Sequence, residues 1–185
     1  MHMSRRIVLY ALSAMAMVYS DAAAQQIPFR AQLDIERRVA TMLHAIDALD
    51  WRGVAAAFSP EVRVDYTSLF GGTAEVLPVD SLVERWKRLV PGFDATQHLI
   101  GPVVVTRQQG RTASAETQVR GYHYMRDAQG GSIWMVAGRY EFAMQERDGA
   151  WTIAGIVLRV AYQEGNRHLP TLAMSRAGRG EGRMK

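Results

Sequence analysis

The chain has 185 residues, of which 48% are hydrophobic, and it contains no cysteine. This length suits one domain with short extensions, and the lack of cysteine excludes disulfide bonds and thiolate zinc sites. The formal net charge of +4 comes from the two ends of the sequence, since the charges of residues 25–169 balance. A neutral body lacks the basic surface that nucleic acids bind, so we predict no nucleic-acid partner.

Residues 1–24 have the pattern of a secretory signal peptide. Two arginines precede an apolar run at residues 7–18, and three alanines at residues 22–24 supply a small-residue cleavage site. The run is shorter than the roughly 20 apolar residues that cross a bilayer. We therefore expect cleavage before Gln25, export to the periplasm or the medium (a secreted protein), and no stable membrane insertion after cleavage. The alternative is an uncleaved anchor helix.

Three helices are predicted in the first half of the body. Apolar residues recur at spacings of three and four over residues 32–49, which indicates a helix with one buried stripe. Asp50 has the side chain of an N-cap for a second helix at residues 51–58. A third helix is predicted at residues 79–89, where Pro91-Gly92 follows and ends it.

Strands dominate the second half. A first strand at residues 61–68 alternates apolar and polar side chains, and four longer β segments follow the third helix. Asp148-Gly149 joins the last two as a hairpin turn. Helices followed by long antiparallel strands indicate an α+β fold for residues 25–169. Residues 170–185 are rich in glycine and arginine without apolar periodicity, so we predict a disordered basic tail. The four segments are predicted at residues 95–107, 112–126, 132–147 and 150–162.

Four polar side chains lie on otherwise apolar strand faces: His98, His123, Tyr66 and Tyr140. Polar groups that point into a core are costly unless they are partnered. If all four faces line one concave surface, two imidazoles and two phenols meet in an apolar pocket suited to acid–base chemistry. The alternative is that the histidines are hydrogen-bonded core residues and the tyrosines serve packing.

Asp47 lies at the edge of the apolar stripe of the first helix. A carboxylate there that reaches a histidine would orient it and strengthen it as a base; the alternative is a solvated side chain at the helix edge. His98 and His123 lack the short helical spacing of common zinc motifs, so we predict no metal and no other cofactor.

Five short stretches carry a resemblance to a known family. The stretches are Asp47–Trp51, Val64–Tyr66, Thr96–Gly101, Gly121–His123 and Asp148–Gly155. In this order, across about residues 33–169, they resemble SnoaL-like members of the nuclear transport factor two-like superfamily, and within it the scytalone dehydratases. The resemblance implies a cone-shaped α+β barrel in which three N-terminal helices pack on a curved, mostly antiparallel sheet, and a homo-oligomer (dimer or trimer).

The resemblance also implies catalytic roles for four residues. His98 matches the family's catalytic base, and Asp47 matches the carboxylate that orients it. Tyr66 matches a tyrosine that helps to polarise the substrate carbonyl through a water molecule. His123 matches a second pocket histidine near the leaving hydroxyl group.

Two departures from the family pattern point to a different substrate. Ile46 stands where a second carbonyl-polarising tyrosine is expected, and Gly138 and Tyr140 stand near the positions of two small polar residues. Scytalone itself is therefore not the expected substrate. We expect the substrate-binding wall to be formed by Tyr140, Ile46, Trp86, Val64 and Phe142.

These features predict a cofactor-independent lyase that removes water from a β-hydroxy carbonyl compound. Its substrate would be a small apolar or aromatic carbonyl compound, and His98 with Asp47 would move the proton. The same groups suit a ketosteroid-isomerase-like isomerase or a polyketide cyclase. A different class of function also stays open, namely a non-catalytic protein that binds a small apolar ligand.

Overall fold

The computed structural model of the protein describes residues 27–183. The predicted signal peptide at residues 1–24 lies outside this range. Within the described range, no helix is both long and apolar enough to span a bilayer.

The described chain folds into five α-helices and seven strands, with a short 3-10 turn at Val90–Gly92. The helices are α1 (Phe29–Asp47), α2 (Trp51–Ala57), α3 (Thr67–Phe70), α4 (Val79–Lys87) and α5 (Leu169–Gly178). The strands are β1 (Phe58–Asp65), β2 (Glu75–Pro78), β3 (Ala95–Ile100), β4 (Val104–Gln109), β5 (Thr112–Tyr124), β6 (Ile133–Arg147) and β7 (Ala150–Gly165).

Local sequence signals explain the start of the fold. The apolar stripe of α1 is buried as expected, with Ile35, Val39 and Met42 fully inaccessible to solvent. The Asp50 side chain accepts a hydrogen bond from the Gly53 amide at 3.2 Å, which satisfies one of the free N–H groups that open α2. The expected helices therefore form as α1, α2 and α4, with bounds shifted by one to three residues.

The seven strands form one curved, unclosed sheet in the order β2-β1-β7-β6-β5-β3, and β4 also pairs with β5. The β1–β7 pair is parallel and the other pairs are antiparallel, which confirms the α+β class. Asp148 and Gly149 both adopt positive φ in the predicted two-residue hairpin. The β6–β7 register shifts at Gly138, where a Cβ atom would lie 2.2 Å from the Arg159 carbonyl oxygen. This irregularity helps the sheet to bend.

Two predicted strand boundaries are wrong. The segment predicted at 95–107 is divided into β3 and β4, because Pro102 between them fixes φ and offers no N–H to the ladder. The first strand begins earlier, at Phe58, and ends at Asp65. The Asp65 carboxylate accepts hydrogen bonds from the Thr67 amide and hydroxyl, which starts α3 at residues predicted to be strand.

The prediction of a disordered tail at residues 170–185 is wrong as far as Arg183. Residues 169–178 form α5, in which Leu169 and Ala173 are fully buried. The Arg176 guanidinium forms an ion pair with Asp94 at 2.6 Å. Arg176, one of the arginines that suggested a solvated tail, thus attaches the tail to the domain.

Candidate functional site

A cavity of about 90 Å³ lies between the concave face of the sheet and the helices. Its wall is mostly apolar, with polar groups from four residues converging on it. It is the place where a small molecule would meet the predicted acid–base groups. The polar residues are His98, His123, Tyr66 and Tyr140.

Asp47 and His98 make a two-point contact beside this cavity. The His98 amide donates to Asp47 Oδ2 at 2.7 Å, and His98 Nδ1 lies 2.8 Å from Asp47 Oδ1. One carboxylate therefore fixes both the backbone and the ring of the histidine. Because an ionised carboxylate only accepts, Nδ1 carries a proton, and in the neutral form of the imidazole Nε2 then has a lone pair for a ligand.

The end of α1 holds Asp47 in place. Leu49 adopts a left-handed conformation with φ of 56°, and its amide donates to the Ile46 carbonyl while the Asp50 amide donates to Ala45. This is the hydrogen-bond pattern of a Schellman cap, in which glycine is usual at the left-handed position. A leucine in this conformation adds backbone strain of about 1–3 kcal/mol. Its side chain is buried in the core, and that packing offsets the strain.

The charge of Asp47 is maintained by its partner. Burial alone would raise the Asp47 pKa, but the hydrogen bonds and charge of His98 outweigh it and keep the pKa below its usual value. The carboxylate is therefore ionised at neutral pH. This negative charge would stabilise His98 after it takes a proton.

His123 lies across the cavity in an aromatic environment. Its ring is centred 4.8 Å from Phe93 and 4.4 Å from Trp134, and 6.1 Å from His98. Burial, followed by the nearby charge of His98, lowers the His123 pKa to about 3. Its Nδ1 lies 3.3 Å from the Trp134 carbonyl oxygen, which can only accept. His123 is thus neutral and, like His98, protonated on Nδ1.

Tyr66 and Tyr140 form a phenol pair, with ring centroids 6.5 Å apart. Burial raises the Tyr66 pKa well above its ordinary value, and the neighbouring Tyr140 raises it further. Burial likewise raises the Tyr140 pKa to about 12. Both hydroxyls keep their protons over the physiological pH range. They also hydrogen-bond to each other, which leaves one O–H of the pair to donate into the cavity.

Arg183, from the segment predicted to be disordered, forms hydrogen bonds with residues beside the site. Its guanidinium donates to the backbone carbonyls of Phe93 at 2.9 Å and Asp47 at 3.2 Å, and to the Thr96 hydroxyl at 3.3 Å. These contacts join the end of α1 to the start of β3. Sequence reasoning missed Arg183 because the Gly/Arg-rich composition around it carries no periodic signal.

The predicted wall residues divide into two groups. Tyr140, Ile46 and Trp86 line the cavity together with His98, His123 and Tyr66. Val64 and Phe142, also predicted to bind substrate, do not line it. Both are buried, as their alternation indicates, but Phe142 lies behind Tyr140 in the core. The alternation of apolar and polar residues shows which face of a strand points inward. It does not show how far along the sheet a side chain lies from the cavity.

No cluster of three or more metal-binding side chains occurs within residues 27–183. The two cavity histidines each have one ring nitrogen at a protein acceptor.

The sequence is similar to that of a known protein, and the fold is similar to that of solved structures. The chain is 29% identical over 133 residues to a scytalone dehydratase-like protein from Claviceps purpurea (strain 20.1), a match that covers 64% of this chain and 79% of the relative.

Two solved structures share the fold. The Kfla4162 protein from Kribbella flavida superposes with a TM-score of 0.68 at 21% identity, covering 76% of this chain and 96% of that one. A hexachlorocyclohexane dehydrochlorinase, LinA type 3 from Novosphingobium barchaimii LL02, superposes with a TM-score of 0.63 at 13% identity, covering 75% and 91%.

Residues 29–156 match the model of the SnoaL-like domain family. The matched range runs from the start of α1 to the middle of β7, so it includes the helices and most of the sheet around the cavity. The chain belongs to the SnoaL-like domain family.

Proposed function

We propose that the protein is a cofactor-independent lyase that removes water from a small apolar β-hydroxy carbonyl compound. The observation that carries the proposal is the two-point contact of Asp47 with His98 at 2.7 and 2.8 Å beside the cavity. A protein that only binds an apolar ligand has no need of a base oriented in this way. The similarity to a scytalone dehydratase-like protein agrees with this class of reaction.

The reaction begins with proton removal. His98 Nε2 takes a proton from the carbon next to the carbonyl, and the electron pair moves into an enolate. The ionised Asp47 stabilises the resulting imidazolium, with which it shares the Nδ1 proton in a hydrogen bond.

The tyrosine pair would stabilise the enolate. A substrate oxygen placed against the Tyr66–Tyr140 pair would accept a hydrogen bond from the O–H that the pair does not use internally, and neither phenol ionises at neutral pH. Donors already fixed in an apolar site strengthen as negative charge develops on that oxygen. Tyr140 thereby offers a donor although Ile46 has replaced the tyrosine expected from the family pattern.

Departure of the hydroxyl group completes the elimination. The carbon–oxygen bond breaks as the enolate electrons form the new double bond, and the imidazolium of His98 returns its proton to the leaving oxygen to give water. His123 is neutral, with a pKa of about 3, so it accepts a hydrogen bond from the substrate hydroxyl and orients it rather than donating the proton.

The direct test uses the β-hydroxyketone formed from benzaldehyde and acetone, whose dehydration to benzalacetone is followed by absorbance and mass spectrometry. His98→Ala should lower kcat/KM by on the order of 1,000-fold, as expected for loss of a general base. The matched control is His44→Ala, which removes an exposed imidazole from the helix that carries Asp47.

Equal dehydration rates for the parent and His98→Ala would refute the proposal. Exchange of the α-hydrogen for deuterium without water loss would instead favour the isomerase alternative, because the same base would act without a leaving group. Ligand binding with neither exchange nor water loss would favour the binding protein.

We also propose that the protein acts after export, on the strength of the signal-peptide pattern in residues 1–24. N-terminal sequencing of the protein recovered outside the cytoplasm should begin at Gln25. Recovery of an uncleaved chain in the membrane fraction would support the anchor-helix alternative.

A further inference from the structure

A second chamber adjoins the cavity that holds the acid–base groups. It has a volume of about 290 Å³ and is enclosed by the α3–β2 connection, α4 and α5. Four side chains, Tyr66, Phe70, Trp86 and Leu89, border both spaces. We call the space around His98 the inner chamber and the second space the outer chamber.

The inner chamber is too small for a whole aromatic substrate. Its volume is about 90 Å³, whereas a protein cavity of about 150 Å³ is filled by a single benzene molecule. The inner chamber therefore has room for a small reacting head, such as a carbonyl group with its neighbouring carbons. Small-molecule sites usually measure about 300–1,000 Å³, a range that only the two chambers together reach.

The outer chamber has the chemistry of an uncharged apolar site. Leu82, Leu89, Pro170 and Met174 contribute to its wall. Its two charged members, Arg85 and Glu75, neutralise each other through two parallel hydrogen bonds of 2.8 Å. Neither charge is free to select an ion, so a charged occupant would gain no partner there.

Two apolar side chains at the outer chamber are unusually exposed. Phe70 is 58% exposed and Met174 is 48% exposed. Phe70 ends α3 directly before Gly71, whose φ of 73° lies in the region that favours glycine. An apolar body bound between these side chains would remove their surface from water, which is favourable at about 25 cal/mol per Å².

We propose that the outer chamber is a second substrate subsite, which binds the uncharged ring or hydrocarbon body of a molecule whose carbonyl head occupies the inner chamber. The substrates are thus two-part molecules, and α5 helps to determine which bodies are accepted. The assignment rests on the proposed function only for the identity of the head group.

The test compares two ketones that share a head. Butanone supplies the head alone, and benzylacetone is the same ketone extended by a phenyl ring. Neither carries a β-hydroxyl group, so neither can lose water and binding is measured without turnover. Both Kd values are measured by ligand-observed NMR titration, because a tryptophan introduced by substitution would itself change the protein fluorescence.

In the parent protein, the Kd of benzylacetone should be lower than that of butanone by on the order of 30-fold or more, as expected for burial of a phenyl ring. Met174→Trp should fill part of the outer chamber and raise the Kd of benzylacetone by about tenfold, with little change for butanone. The matched control is Thr171→Trp, which places the same bulk on an exposed position of α5 that does not border the chamber.

Similar Kd values for the two ketones in the parent would overturn the proposal. It would equally be overturned if Met174→Trp weakened both ketones alike, weakened neither, or matched Thr171→Trp. If the lyase test fails but benzylacetone binding follows the expected pattern, the proposed reaction is refuted and the proposed subsite stands. If the parent dehydrates its substrate but binds benzylacetone no better than butanone, the proposed reaction stands and the proposed subsite is refuted.

Discussion

The free energy of unfolding should fall as the solution is acidified, because His123 stays uncharged inside the fold. Burial lowers its pKa from 6.5 to about 3. Below pH 6.5 the unfolded chain therefore binds a proton that the folded chain does not bind, and this favours unfolding. The loss continues as the pH falls and ends near the pKa of the folded state.

The magnitude follows from the shift. Well inside this window, each pH unit of acidification should lower the free energy of unfolding by about 1.4 kcal/mol. The loss is about 2 kcal/mol from about pH 6.5 to about pH 4.5, and about 4 kcal/mol if the pH reaches the folded pKa. The Asp47 pKa is below its ordinary 3.8. Protonation of this carboxylate therefore lowers the free energy of unfolding only below that pH.

Urea unfolding at about pH 7 and about pH 4.5, analysed by linear extrapolation, measures this loss. His123→Phe keeps an aromatic ring between Phe93 and Trp134 and removes the titrating group, so its stability should depend less on pH. His44→Gln, at an exposed position of α1, should retain the parent's dependence. The reasoning is refuted if the parent and His123→Phe lose the same free energy on acidification.

Three further substitutions test the site and the tail. Asp47→Asn should lower kcat/KM by on the order of 100-fold to 10,000-fold, because His98 needs both oxygens as acceptors and an amide offers one; rates within a few-fold of the parent would contradict this role. Arg183→Ala should cost about 1–3 kcal/mol in urea unfolding through its lost hydrogen bonds, and parent-like stability would mean that the tail is not docked in solution. Gly92→Ala would place a Cβ atom 1.9 Å from a backbone oxygen of α5, so limited proteolysis should cut α5 faster in this variant. The control is Gly178→Ala, whose added methyl group meets open space. Equal cleavage of the two variants would show that the close approach at Gly92 does not hold the helix.

Features that depend on a few neighbouring residues could be predicted from the sequence. The Asp50 cap, the stripe of α1 and the Asp148-Gly149 hairpin all formed as expected. Each is determined by interactions within one or two turns of chain, so its signal lies in the local pattern.

The site needed information that local patterns lack. Asp47 and His98 are 51 positions apart, and their pairing was expected only from the family resemblance. The alternation that marks Val64 and Phe142 as inward residues says nothing about which layer of the cone they occupy. Arg183 was missed for a related reason, because its partners are backbone carbonyls, which every sequence contains.

The contact of Arg183 with the Asp47 carbonyl spans 136 positions of the chain. During synthesis, α1 leaves the ribosome well before the guanidinium that hydrogen-bonds to its last residue. A growing chain can therefore pair Asp47 with His98 before Arg183 binds the Asp47 carbonyl. Contacts of such long range form late in folding, since the loop must close before they contribute. Chains cut short by a protease before residue 183 would keep the histidine and its carboxylate but lose the hydrogen bond from Arg183 to the Asp47 carbonyl.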